Sequence, residues 1–134
     1  IGPLDGDCFT LALMSTSISV NAMCKIGRVA LSSVRAELKA EIYRLGEHHK
    51  KTMVDWDGLP FAMNRSDIFQ FPVVEAALCV REIVFDHFET IGSHCFFVGR
   101  VESERRRSRG GQLHHTSGIH QYYRQRLGQP FAII

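Results

Sequence analysis

The run from Thr90 to Ser103 constrains the fold of this chain more than any other. Gly92 and Ser93 give a turn signal. His94 then opens the series His94, Cys95, Phe96, Phe97, Val98, Gly99, Arg100, Val101. In an extended chain successive side chains point to opposite faces. His94, Phe96, Val98 and Arg100 therefore share one face, and Cys95, Phe97, Gly99 and Val101 the other. Apolar groups on both faces predict a strand covered on both sides. The imidazole would sit at the mouth of a packed β structure, beside a flexible turn, where a flat ligand has room and a proton donor at hand.

The other elements follow from local patterns. Asp5-Gly6-Asp7 is a turn between apolar stretches and predicts a β-hairpin. Cys8 to Asn21 reads as one long strand, bulged or bent, with hydroxyls alternating with apolar residues from Met14 onward. Ile26 to Ser32 reads as another strand. Val34 to Leu45 is the one clear helix, with Val34, Leu38, Ile42 and Leu45 as its apolar stripe, Ser33 as N-cap and Gly46 as C′. Arg35 and Lys39, and Glu37 and Glu41, are like charges one turn apart, so this helix must depend on packing. Glu47 to Phe71 has no sustained period, and a loop of that length is often functional. Val73 to Phe85 returns to strand character, with Arg81 and Glu82 as polar insertions. Asp86 to Ser93 connects to the His94 strand, and Arg105 to Gly111 reads as a charged turn. Strands with one helix between them predict a mainly β fold: a small Greek-key barrel with a principal α-helix across one end. Closure would also remove exposed strand edges.

Composition excludes several classes. With 134 residues, 45% of them hydrophobic, the chain suffices for a single domain with its own core. No apolar run approaches the roughly 20 residues that cross a bilayer, and no secretory leader pattern opens the chain. It begins at Ile1 and not Met, which is compatible with a missing N-terminal segment. Sixteen basic against 14 acidic side chains, a net charge of +2, do not point to nucleic acid. Cys8, Cys24, Cys79 and Cys95 form no C-x-x-C pair and are expected as free thiols in a reducing cytoplasm. His48-His49-Lys50-Lys51 could line a phosphate entrance. Adjacent histidines make a poor metal motif, and His114, His115 and His120 lack ligands at metal spacing, so no metal is expected. No Gly-x-Ser-x-Gly elbow supports a hydrolase.

The second half carries a resemblance. Phe71-Pro72-Val73-Val74-Glu75-Ala76-Ala77-Leu78-Cys79-Val80 is followed by Ile91-Gly92-Ser93-His94-Cys95-Phe96-Phe97-Val98-Gly99-Arg100-Val101-Glu102, then Leu113-His114-His115 and Tyr122-Tyr123. This ordered set resembles the flavin reductase family, whose fold is the FMN-binding split β-barrel. Two departures stand out. The family's Gly-Asp-His is Gly92-Ser93-His94 here, and the first half lacks a Pro-Pro after the hydroxyl-rich strand. Met14 to Val20 is similar to that strand; an alternative register makes Leu13 to Asn21 the later strand, with Val29 to Leu38 after it.

The resemblance implies an NAD(P)H-dependent reductase that binds FMN, with FAD or riboflavin as alternatives. It further implies a homodimer, and a monooxygenase as consumer of the reduced flavin. FMN phosphate needs donors and positive charge, which a helix start supplies: Ser32, Ser33 and Arg35 lie at the expected helix N-terminus and Lys39 one turn on. Ordinary capping is the competing explanation. The hydroxyls of Thr16, Ser17 and Ser19 would face the ring and ribityl chain. His94 would lie beside the ring and hold the nicotinamide or donate a hydrogen bond. With the carboxylate replaced by Ser93, a flavin- or ligand-binding barrel without reductase activity is the second reading.

Overall fold

The computed structural model describes residues 2–3, 5–47, 55 and 57–107. Within them the order is β1 (Gly2–Pro3), β2 (Cys8–Met14), α1 (Ile18–Ile26), β3 (Arg28–Ser33), a 3₁₀ turn (Ala36–Leu38), α2 (Lys39–Glu47), β4 (Met63–Arg65), β5 (Pro72–Val74), β6 (Cys79–Ile91) and β7 (His94–Arg106). The strands β1-β2-β7-β6-β3 form one antiparallel sheet in that order, and β4 pairs with β5. The fold is mainly β, a sheet curled into half a barrel.

β6 and β7 are the spine. They pair from Ile91↔His94 at the hairpin to Cys79↔Arg106 at the far end, with register shifts at Glu82/Ile83 and Phe85/His87. Such shifts add local twist and let a sheet curl. Gly99 lies opposite Phe9 and Phe85, against the second shift. A Cβ there would collide with the Val84 carbonyl and lie 2.9 Å from Ile83 Cγ2, so only glycine lets β7 approach β6 this closely.

Each face of the sheet carries its own core. On one face Phe9, Leu11, Ile83, Cys95 and Phe97 pack against Val20 and Met23 of α1. On the other face Val80 packs with Val34, Val73, Val74 and Ala77, flanked by Leu38 and Ile42. The small β4–β5 hairpin and α2 thus cover the β3–β6 part of that face.

Several expectations change. The long strand expected from Cys8 to Asn21 stops at Met14, and Ile18–Ile26 is a helix. Val20 and Met23 bury one side of it, and Gly27 ends it at φ 72°, its N–H bonded to the Met23 carbonyl at 2.8 Å. The tertiary demand for cover over Phe9, Leu11 and Phe97 overrides the β-propensity of alternating hydroxyls. Ser33 is not an N-cap: it closes β3, opposite Cys79, and α2 starts only at Lys39 after the 3₁₀ turn. Asp86 to Ile91 is strand, not connection. The His94 strand is covered on one face; Cys95, Phe97 and Gly99 are buried while His94, Phe96 and Arg100 are exposed.

Candidate functional site

His94 starts β7 because Gly92 and Ser93 close a two-residue hairpin loop. Gly92 has φ 60°, a sign that hairpin loops of this length require at their first central residue and that glycine adopts without strain. The loop is pinned to the next strand: the Ser15 N–H donates to the Ser93 carbonyl at 2.9 Å. His94 pairs with Met14 on one side and Ile91 on the other, so the three side chains share one face of the sheet. Phe96 follows on that face. Met14 and Ile91 are each 57% exposed and Phe96 38%, which puts open apolar side chains around the imidazole, with Glu89 opposite Phe96 on the same face. Ser93 Oγ lies 3.0 Å from His94 Nδ1.

Immediately beyond Met14 the chain turns into α1. The Ser17 N–H donates to the Met14 carbonyl at 2.9 Å and Val20 N–H to the Ser17 carbonyl at 3.1 Å. Ser17 is the N-cap, yet its hydroxyl makes no capping hydrogen bond, and no acidic residue occupies the first turn. The first-turn N–H groups of an α-helix, here those of Ile18 and Ser19, find no partner within the helix itself. Thr16 and Ser19 are exposed. A helix start with open N–H groups, flanking hydroxyls and no carboxylate fits an anion. The residues present thus offer apolar side chains for a flat ring and a donor-rich helix start for an anionic group.

The structure brings His94, Thr16, Ser17 and Ser19 to one end of the sheet. Ser32, Ser33, Arg35 and Lys39 lie at the other, separated by the length of β6, roughly 40 Å of strand at about 3.3 Å per residue. The helical stretch that this second group was expected to start begins at Ala36, with Arg35 and not Ser33 as its N-cap. Ser32 Oγ accepts the Val74 N–H at 3.1 Å, which ties β3 to β5. Lys39 Nζ stacks over the Tyr43 ring at 5.4 Å. Arg35 borders a groove with Arg107, where Glu37 and Glu75 supply as many carboxylates as there are guanidinium groups. His48, His49, Lys50, Lys51, His114, His115, His120, Leu113, Tyr122 and Tyr123 lie outside the described residues. Among the described residues no three His, Cys, Asp or Glu side chains gather as a metal site, and no helix is long and apolar enough to cross a membrane.

A buried group that the sequence signalled only as a polar insertion is Glu82, 1% exposed. Its carboxylate accepts the Ile68 N–H at 2.9 and 3.1 Å and the Phe69 N–H at 2.6 Å. Burial pushes its pKa up, but hydrogen bonds from the Ser66 hydroxyl and from backbone N–H groups of Phe69, Ile68 and Asp67 outweigh it and hold the group below its ordinary value. The loop it clamps carries Phe69 and Phe71, with the Arg28 guanidinium 5.2 and 5.7 Å from their ring centres.

No family profile and no curated protein matches the sequence. Solved structures do match. An NADH:FAD oxidoreductase of Streptomyces globisporus superposes with a TM-score of 0.65 at 15% identity, over 74% of this chain and 58% of its own. An FMN-binding protein of Thermus thermophilus gives 0.67 at 24% identity, over 78% of this chain and 57% of its own. The styrene monooxygenase flavin reductase of Pseudomonas putida gives 0.60 at 18%, over 79% and 64%. The chain therefore spans between 57% and 64% of the length of these proteins. At such identities the agreement is one of architecture: this chain has the flavin reductase-like, FMN-binding split-barrel fold.

Proposed function

We propose that this protein is a flavin reductase that binds FMN at the His94 end of the sheet and reduces it with NAD(P)H. The observation that carries the reading is the convergence, at one end of that fold, of the α1 start with open N–H groups and the exposed strip of Met14, His94, Ile91 and Phe96. Thr16, Ser17 and Ser19 would hold the phosphate, in place of the ribityl and ring contacts that the sequence suggested. Ser32, Ser33, Arg35 and Lys39 would then take no part in the same site of one subunit. When bound, the flavin supplies the hydride acceptor for a reduced nicotinamide. The chain's own contribution is to hold the two partners face to face and to offer one imidazole beside them. A homodimer and a flavin-dependent monooxygenase as consumer belong to the same proposal.

Titration of the purified chain with FMN, read by flavin fluorescence, followed by NADH oxidation with and without added FMN, tests it. Binding and FMN-dependent oxidation are expected, and His94→Ala should raise the KM for NADH while FMN stays bound. Absence of FMN binding overturns the proposal. Ser93 in place of a carboxylate favours one competitor, a flavin-binding barrel without turnover, which binding without oxidation would select.

A further inference from the structure

We infer that Ser93 is a positioning residue: its hydroxyl donates to Nδ1 of His94 and holds the imidazole as the tautomer protonated on Nε2, a hydrogen-bond donor facing the site. The two atoms are 3.0 Å apart. In a regular strand neighbouring side chains diverge, but Ser93 belongs to the hairpin loop. The left-handed backbone of Gly92 and the bond from Ser15 N–H to the Ser93 carbonyl set its direction. The contact can form in two senses, O–H to N or N–H to O. A neutral imidazole nitrogen is a far better acceptor than a hydroxyl oxygen, so the serine donates and the ring proton goes to Nε2. Among the described residues no carboxylate bonds this ring, and Ser93 is its recorded partner.

The consequence separates this chain from one with a carboxylate at that position. A carboxylate accepts from Nδ1–H and leaves Nε2 as an acceptor. Serine reverses the polarity, so His94 would serve a carbonyl oxygen, either on the flavin edge or on the nicotinamide carboxamide. That last step rests on the flavin reductase reading, whereas the tautomer does not.

Imidazole ¹H–¹⁵N correlation spectra of the full chain labelled at histidine test the tautomer, with the His94 signal assigned by its loss in His94→Gln. The Nε2–H form is expected. Ser93→Ala should remove the hydrogen-bond shift of Nδ1, Ser93→Thr should restore it, and Ser93→Asp should move the proton to Nδ1. A protein with Nδ1–H from the outset, or a spectrum unchanged by Ser93→Ala, overturns the inference. In turnover assays Ser93→Ala should weaken one ligand by about three- to tenfold, the effect of one hydrogen bond. A rise in KM for NADH identifies the carboxamide, and a rise in Kd for FMN the flavin carbonyl. An inactive, flavin-free protein with the expected tautomer would sink the flavin reading and leave the inference standing.

Discussion

Single residues in this fold do work that their type alone does not announce. Gly99 looks like any strand glycine until the carbonyl of Val84 is seen against its α-carbon. Gly99→Ala should cost about 1–3 kcal/mol through forced separation of β6 and β7, read as a lower urea midpoint. An unchanged midpoint would mean that the second register shift relaxes freely. Glu82 is a complementary case. Glu82→Gln keeps the shape but turns an N–H donor towards backbone donors, and about 2–3 kcal/mol of stability should go. Hydrogen exchange at Ile68 and Phe69 checks it, since both amides must lose protection if the carboxylate holds the loop.

At the level of elements, α1 is where helix signals and strand signals compete. Ser17 before the helix, Val20 and Met23 three apart, Lys25 in the last turn and Gly27 at C′ are ordinary start, face and stop signals. The alternating hydroxyls of Met14 to Val20 pointed to a strand, and local pattern could not arbitrate. The open first turn of α1 also yields a prediction with two opposite signs. Ser19→Asp places a carboxylate at the positive end of the helix and should raise stability by about 0.3–1 kcal/mol. The same charge should weaken FMN, while riboflavin, which lacks the phosphate, binds as before. Equal losses for both ligands would remove the phosphate from this helix.

For the molecule as a whole, acid stability should depend on the clamp at Glu82. Its folded pKa lies below the unfolded value of about 4.3. The ionised carboxylate therefore adds stability that is complete above that pH and lost as pH falls through the folded pKa. Urea midpoints of the wild type should drop below about pH 4, and Glu82→Gln should flatten that limb of the profile. A wild-type limb as shallow as the variant's would show that the carboxylate is not held preferentially in its ionised form.

The sequence by itself determined the class of fold and the strand that opens at His94. The two-face alternation of β7, the glycine turn before it and the resemblance from Phe71 to Glu102 were legible because period and turn chemistry are local. It also offered His94, Thr16, Ser17, Ser19, Ser32, Ser33, Arg35 and Lys39 together as candidates for one site. Only the tertiary structure decided which candidates are neighbours. The antiparallel run of β6 sends Ser33 to one end of the sheet and His94 to the other, while β2 returns Met14 to His94's side. Among the described residues it also left one face of a strand that looked buried on both without cover, since α1 covers one side of the sheet and α2 with the β4–β5 hairpin reaches only part of the other. Pairing register and layer cover are long-range facts, set by which distant surfaces gain most from leaving water.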